Sequence, residues 1–226
     1  MLKQGLLITI GRVFQYLLSF VFIAIIAKYY SASVLGNYVF YYSLITLFSP
    51  IITLGGKQGL MFYLPVWKSQ KNKYRISNLI ICTILITTLL GIVVYLIFAL
   101  NSEGILKIFN KKDENNVFWW FSFIIVFEAL NQLFSSSLRG FGDFKLFSIG
   151  LFITNFFRII IILITLNYAK SLESVLMSYF FGAAFTSLYF LIAVIKLKAL
   201  IKIEIKKINF SYYFLMVKKF YPSVLT

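Results

Sequence analysis

The sequence predicts an all-α membrane protein, a six-transmembrane-helix bundle followed by the start of a seventh helix. Three observations carry that expectation. Of the 226 residues 61% are hydrophobic and only 13% are charged, whereas soluble domains hold about 45–50% apolar and about 25% charged residues. Mean hydropathy is +0.89. Six separate runs reach the ~20 mostly apolar residues that a helix needs to cross a bilayer, with short polar segments between them.

The first run, residues 6–27, carries Arg12 and Gln15 inside it, and no small-residue cleavage site follows. It reads as a retained helix and not a cleaved signal peptide. A Ser31-Ala32-Ser33 turn leads to the second run, 38–64, with Asn37 placed to cap it. The basic stretch 68–73 separates it from the third run, 78–100. The polar segment 110–116 precedes the fourth, 117–137. Arg139-Gly140-Phe141-Gly142-Asp143 turns the chain into the fifth, 146–168, with Asp143 as its cap. The sixth spans 174–197. All the gaps are short, so successive helices run antiparallel. Residues 1–197 form one membrane lobe, 198–211 a basic linker, and 212–226 the truncated beginning of a seventh helix.

Basic residues set the orientation. With the N-terminus inside, fifteen of them face the cytoplasm. Only Lys28, Lys107, Lys111, Lys112 and Lys170 lie on the opposite side, and Arg12 and Arg158 lie within spans. This asymmetry also accounts for the net charge of +15 without nucleic acid, because the lysines punctuate apolar runs. The chain has no histidine, one cysteine (Cys82) and seven acidic residues. That composition removes His-based acid–base catalysis, His-ligated metals and an internal disulfide. No catalytic constellation assembles, so neither an enzyme nor a cofactor is expected.

Inside the spans, polar side chains recur at steps of three, four and seven, which place them on one helix face. The first helix has Thr9, Arg12, Gln15 and Ser19; the second has Tyr42, Thr46, Ser49, Thr53 and Lys57. The fourth has Glu128, Asn131, Gln132, Ser135 and Arg139; the fifth has Ser148, Asn155 and Arg158. A bare charge at the bilayer centre costs ~2.5–3.5 kcal/mol on insertion scales, so such residues face a bundle interior or a wet cavity. Arg12, Lys57, Arg139 and Arg158 are the candidate cationic, substrate-binding residues. Glu128 is the lone intramembrane acid, about 16 Å along the helix from Arg139 at ~1.5 Å per residue. Gln15, Asn131, Gln132 and Asn155 are candidate lining residues. Simpler roles remain open beside these. Glu128 and Arg158 make an interhelical ion pair that fixes packing, Lys57 and Arg139 snorkel to the interface, and Ser178-x-x-x-Gly182 marks a close helix contact. A cavity rich in Arg and Lys suits an anion, since the guanidinium fork matches phosphate oxygens. A channel is less attractive, because no span contains a repeated filter-like loop.

The order of local motifs adds a family resemblance. Leu35-Gly36-Asn37-Tyr38 opens helix two. Leu54-Gly55-Gly56-Lys57-Gln58-Gly59-Leu60 and then Phe62-Tyr63-Leu64-Pro65 close it. Leu138-Arg139-Gly140-Phe141-Gly142 precedes the helix with Asn155 and Arg158. The basic segment 196–207 and Tyr221-Pro222-Ser223 follow. In this order and spacing the chain resembles the O-antigen and polysaccharide flippase family of the multidrug/oligosaccharidyl-lipid/polysaccharide exporter superfamily.

The resemblance implies one six-helix lobe of a two-lobe exporter that moves lipid-linked oligosaccharide across a bacterial or archaeal cytoplasmic membrane by alternating access. Its partners would be the bilayer, a polyprenyl-pyrophosphate-linked glycan, and a C-terminal lobe or glycan polymerase and assembly proteins. On that analogy Arg12, Lys57, Arg139 and Arg158 meet the pyrophosphate or acidic sugars, and Glu128 is a coupling proton site or the partner of Arg158. The second lobe would begin where this sequence stops, so the chain reads as a fragment, a truncated product, or half of a split or dimeric transporter, and one lobe alone is not expected to flip substrate. Two other functions compete. A multidrug exporter of the same superfamily would favour a more acidic cavity. A non-transporting scaffold subunit of a glycan-assembly complex would consume its polar stripes in helix contacts.

Overall fold

A computed structural model of the chain describes residues 2–101, 104, 115–168, 170–197 and 209–220. Among them the helices are α1 (Leu2–Tyr29), α2 (Ala32–Ile52), α3 (Gly56–Ser69), α4 (Lys73–Leu100), α5 (Asn115–Phe141), α6 (Phe144–Thr165), α7 (Leu172–Lys196) and α8 (Ser211–Phe220). Six of these, all but α3 and α8, are long and apolar enough to cross a membrane. The multi-pass, all-helical expectation holds. Most of the linker 198–211 and the Tyr221-Pro222-Ser223 motif lie outside the described residues.

Helix boundaries follow local capping chemistry. Ser31 has extended backbone and its Oγ accepts from the Val34 N–H, so α2 starts well before residue 38. Asn37 sits inside the helix and does not cap it. The expected single run 38–64 is two helices. Pro50 has no N–H to give the last turns of α2, and Leu54 and Gly55 then take left-handed backbone with φ of 45° and 76°. Such a turn at an apolar leucine is invisible to a count of apolar residues. α3 restarts at Gly56 and buries Gly59, Leu60, Leu64 and Trp67 along one face. Similarly, Asn72 accepts from the Arg75 N–H, and α4 begins at Lys73 and not at residue 78. Asp143 caps α6 as expected, accepting from the Leu146 N–H at 3.1 Å.

α5 is the central column of the bundle and packs against α7, α3, α4 and α2. Although α5 and α6 are consecutive, they touch only lightly, and α7 bridges them. Small residues on α7 allow this. Ala183 presents its carbonyl to Asn131 of α5. Gly182, one residue earlier, faces Thr154 and Arg158 of α6. α1 packs on α6 and touches α2 more lightly, with Phe22 edge-on to Tyr38.

The apolar core is split in two. One cluster gathers Phe22, Tyr41, Phe121, Ile125 and Leu176; the other gathers Leu64, Leu79, Leu138, Phe190 and Val194. Along α5 the divide falls between Ala129 of the first cluster and Leu133 of the second. The buried polar residues Asn131, Asn155, Arg158 and Thr186 belong to neither. The bundle therefore has an apolar half toward each end and a polar layer between them. Outward-facing Phe20, Leu47, Leu89 and Leu188 are exposed, as lipid-facing positions must be in a chain whose solvent is hydrocarbon.

The α6–α7 contact is tight at Gly150, where an added Cβ would collide with the Phe190 ring. Gly150→Ala is therefore expected to destabilise the bundle by about 1–3 kcal/mol, the usual range for overpacking. Thermal unfolding in detergent reads this out, and an unchanged midpoint would contradict the close approach.

Candidate functional site

Successive turns of α5 project Glu128, Asn131, Gln132 and Ser135 to one face, since residues three and four apart share a helix side. The fold uses the amide nitrogens of this stripe. Asn131 Nδ2 donates to the Ala183 carbonyl at 3.1 Å, and Gln132 Nε2 donates to Ser49 Oγ of α2 at 2.8 Å. Their oxygens are left over. Asn131 Oδ1 and Gln132 Oε1 are buried with no hydrogen-bond partner among the described residues.

α6 supplies the opposite wall. Asn155 is tied to α1, its Oδ1 accepting from Ser19 Oγ at 3.1 Å and its Nδ2 reaching the Gln15 carbonyl at 3.5 Å. One turn further, Arg158 is 8% exposed. Its Nη2 lies 3.9 Å from Glu128 Oε2, and its guanidinium sits over the Tyr179 ring, 3.5 Å from the centroid. A desolvated cation over an aromatic face is stabilised by about 2 kcal/mol or more. The ion pair is loose. Among the described residues Glu128 Oε2 and Arg158 Nε both lack hydrogen-bond partners, and the Glu128 side chain keeps 27% of its surface open.

These walls enclose a cavity of about 140 Å³ lined by Gln15, Ser19, Tyr42, Glu128, Asn131, Gln132, Asn155, Arg158 and Tyr179, among others. That space holds several waters. Its orphan oxygens require water or a ligand, because a buried polar atom without a partner costs about 1–3 kcal/mol. Tyr42, exposed at the rim, stacks on Tyr38 and meets Tyr179 edge-on. With Glu128 and Arg158 both ionised, the cavity lining is neutral overall.

Six of the residues expected from the sequence thus converge: Gln15, Glu128, Asn131, Gln132, Asn155 and Arg158. The other three do not line this cavity. Arg12 is exposed on α1, while Lys57 of α3 and Arg139 of α5 are half-buried. They lie close enough to share a field, Lys57 sensing Arg139, Glu128 and Arg12, and Arg139 sensing Arg12. Arg139 Nη2 donates to Ser136 Oγ at 3.1 Å and its guanidinium lies 5.0 Å from the Phe147 ring centroid. The expectation of four cations in one pocket is corrected. Arg12, Lys57 and Arg139 form a cationic group outside the cavity, and Arg158 is held inside by Glu128 and Tyr179. The separation arises because Arg158 faces α7 across Gly182, whose missing side chain makes room for it; a Cβ there would lie 2.5 Å from Arg158 Cγ.

Sequence reasoning missed Tyr179, Thr154 and Thr186 as lining residues. Thr154 falls one turn before Arg158, so the helical period pointed to it. Thr186 Oγ1 donates to Thr154 Oγ1 at 2.9 Å. Nothing in the sequence pairs Tyr179 with Arg158. Many other hydroxyls bond only their own helix, as Ser43, Ser122 and Ser178 do.

The family model of polysaccharide biosynthesis proteins matches residues 1–222. No curated protein and no solved structure matches the chain.

The orphan oxygens predict a wet cavity. In a Cys82→Ala background, Ser19→Cys and Ser135→Cys are expected to react with a charged, membrane-impermeant thiol reagent, while Leu47→Cys on the lipid face stays unlabelled. Protection of both cavity positions would mean that the polar layer is dry.

Proposed function

The chain belongs to the polysaccharide biosynthesis protein family, and from that premise we propose that it takes part in moving a lipid-linked oligosaccharide across the cytoplasmic membrane. Support comes from the polar cavity in the middle of the bundle, together with the cationic group of Arg12, Lys57 and Arg139 beside it. A lipid-linked glycan carries an anionic phosphate or pyrophosphate between its chain and its sugars. Guanidinium and ammonium groups suit that link, with Arg favouring bidentate contact. Transporters place such sites between helices near the midplane, where irregular or polar structure lines a cavity.

In this reading the lysine-rich end of the bundle faces the cytoplasm. Lys68 and Phe141, joined by a hydrogen bond, lie at that end, and so does the Arg139 end of α5. The cations are then met first by a substrate arriving from the inner leaflet. The chain works by binding and releasing substrate and not by making or breaking bonds. A multidrug exporter is disfavoured, since a neutral cavity beside a cationic group does not attract cationic drugs. A scaffold role is disfavoured by the unconsumed oxygens of Glu128, Asn131 and Gln132, because a purely structural stripe leaves no buried acceptors open.

The reading is tested in cells that depend on this gene for surface glycan. Arg12→Ala and Arg139→Ala are each expected to lower surface glycan by roughly tenfold or more, the scale of a lost charge-assisted hydrogen bond, with lipid-linked intermediate accumulating inside and the protein still in the membrane. Normal export in both variants would refute the role of the cationic group.

A further inference from the structure

The cavity and the cationic group differ in chemistry, and the cavity points to a ligand of its own. Its unpartnered groups are mostly acceptors: Glu128 Oε2, Asn131 Oδ1 and Gln132 Oε1, all from one face of α5. Asn131 is 6% exposed, so its free oxygen is directed inward and not at bulk solvent. Arg158 Nε is also unpartnered among the described residues, and the Nη2 of the same guanidinium lies 3.9 Å from Glu128 Oε2. A ligand that completes this set must bring several donors and accept from a guanidinium. It must also be uncharged, because Glu128 and Arg158 already neutralise each other, and an added ion would be desolvated without a counter-charge.

We propose that the cavity within this lobe is a subsite for a neutral sugar residue, whose hydroxyls donate to Glu128, Asn131 and Gln132 while a ring or hydroxyl oxygen accepts from Arg158. The proposal rests on the lipid-linked oligosaccharide reading and assigns the two parts of such a substrate to different places. The anionic link lies against Arg12, Lys57 and Arg139, and a sugar ring enters the space beside them. The volume of about 140 Å³ is on the scale of one sugar ring, and the rest of a longer glycan would extend past the rim. Tyr42, exposed at the rim, presents a ring to the C–H face of a sugar. A bare monovalent cation would also seek the three oxygens, but Arg158 3.9 Å from Glu128 opposes it.

The experiment uses the 226-residue chain in nanodiscs free of glycolipid and of sugar-headed detergent. Saturation-transfer NMR measures binding of the methyl glycosides of glucose, galactose and N-acetylglucosamine. Farnesyl pyrophosphate, which has the anionic link and no sugar, is titrated separately. The proposal expects saturable binding of at least one glycoside. Gln132→Leu should weaken it about 3- to 10-fold, the effect of one lost neutral hydrogen bond. Ser135→Leu fills the cavity without removing an interhelical bond and should abolish binding, so the test survives if Gln132→Leu fails to fold. Glycoside binding that is unchanged in Gln132→Leu and Ser135→Leu overturns the proposal. So does stabilisation by sodium over choline chloride that disappears in Gln132→Leu, which would make the cavity a cation site. Farnesyl pyrophosphate binding without any glycoside binding overturns the sugar subsite alone and leaves the transporter reading standing. Binding of neither overturns both.

Discussion

An arginine held in the middle of a membrane bundle must be surrounded by groups that replace water, and Arg158 organises this protein around that need. Glu128 supplies the counter-charge from α5, Tyr179 supplies a ring face from α7, and Gly182 supplies the room. Three helices are thereby committed to one depth and one rotation. The polar layer separates two apolar clusters, one toward each end of the bundle. Lipid offers no hydrogen bonds, so the layer can persist only where protein or trapped water satisfies it.

Side-chain amides do two jobs in that layer. Their nitrogens tie helices together: Asn131 to α7, Gln132 to α2 and Asn155 to α1. The oxygens of Asn131 and Gln132 are left over at the cavity, with no protein donor among the described residues. The same residues that hold the bundle thus define the chemistry of its cavity, and packing and recognition are coupled. A change that loosens the interhelical bonds would also redirect the acceptors.

The second span shows a different constraint. Its chain breaks at Leu54 and Gly55 and continues as α3, which turns Gly59 toward Met216 of α8 and Leu60 toward Gly140 of α5. The break carries Lys57 near Arg139 and Arg12 instead of leaving it on a straight helix above Thr53. The cationic group thus depends on a backbone turn as much as on the choice of residues.

Much of this was legible in advance. Apolar run length determined the six spans, because hydrocarbon thickness sets helix length. The Asp143 cap followed from a short acceptor placed before a helix. The polar faces of α5 and α6 followed from the helical period, and the scarcity of intramembrane acids singled out Glu128 beside Arg158. Other features were not legible. The helix break falls at an apolar leucine, and the start of α2 at Ser31 was masked by the equally plausible Asn37. The position of Arg12, Lys57 and Arg139 outside the cavity, and the pairing of Arg158 with Tyr179, are set by how the helices pack. Periodicity gives the face of each helix but not its rotation against distant helices. The sequence alone therefore determined which residues must avoid lipid, and the tertiary packing decided which of them share a cavity, because the small residues at the helix contacts set how closely the helices approach.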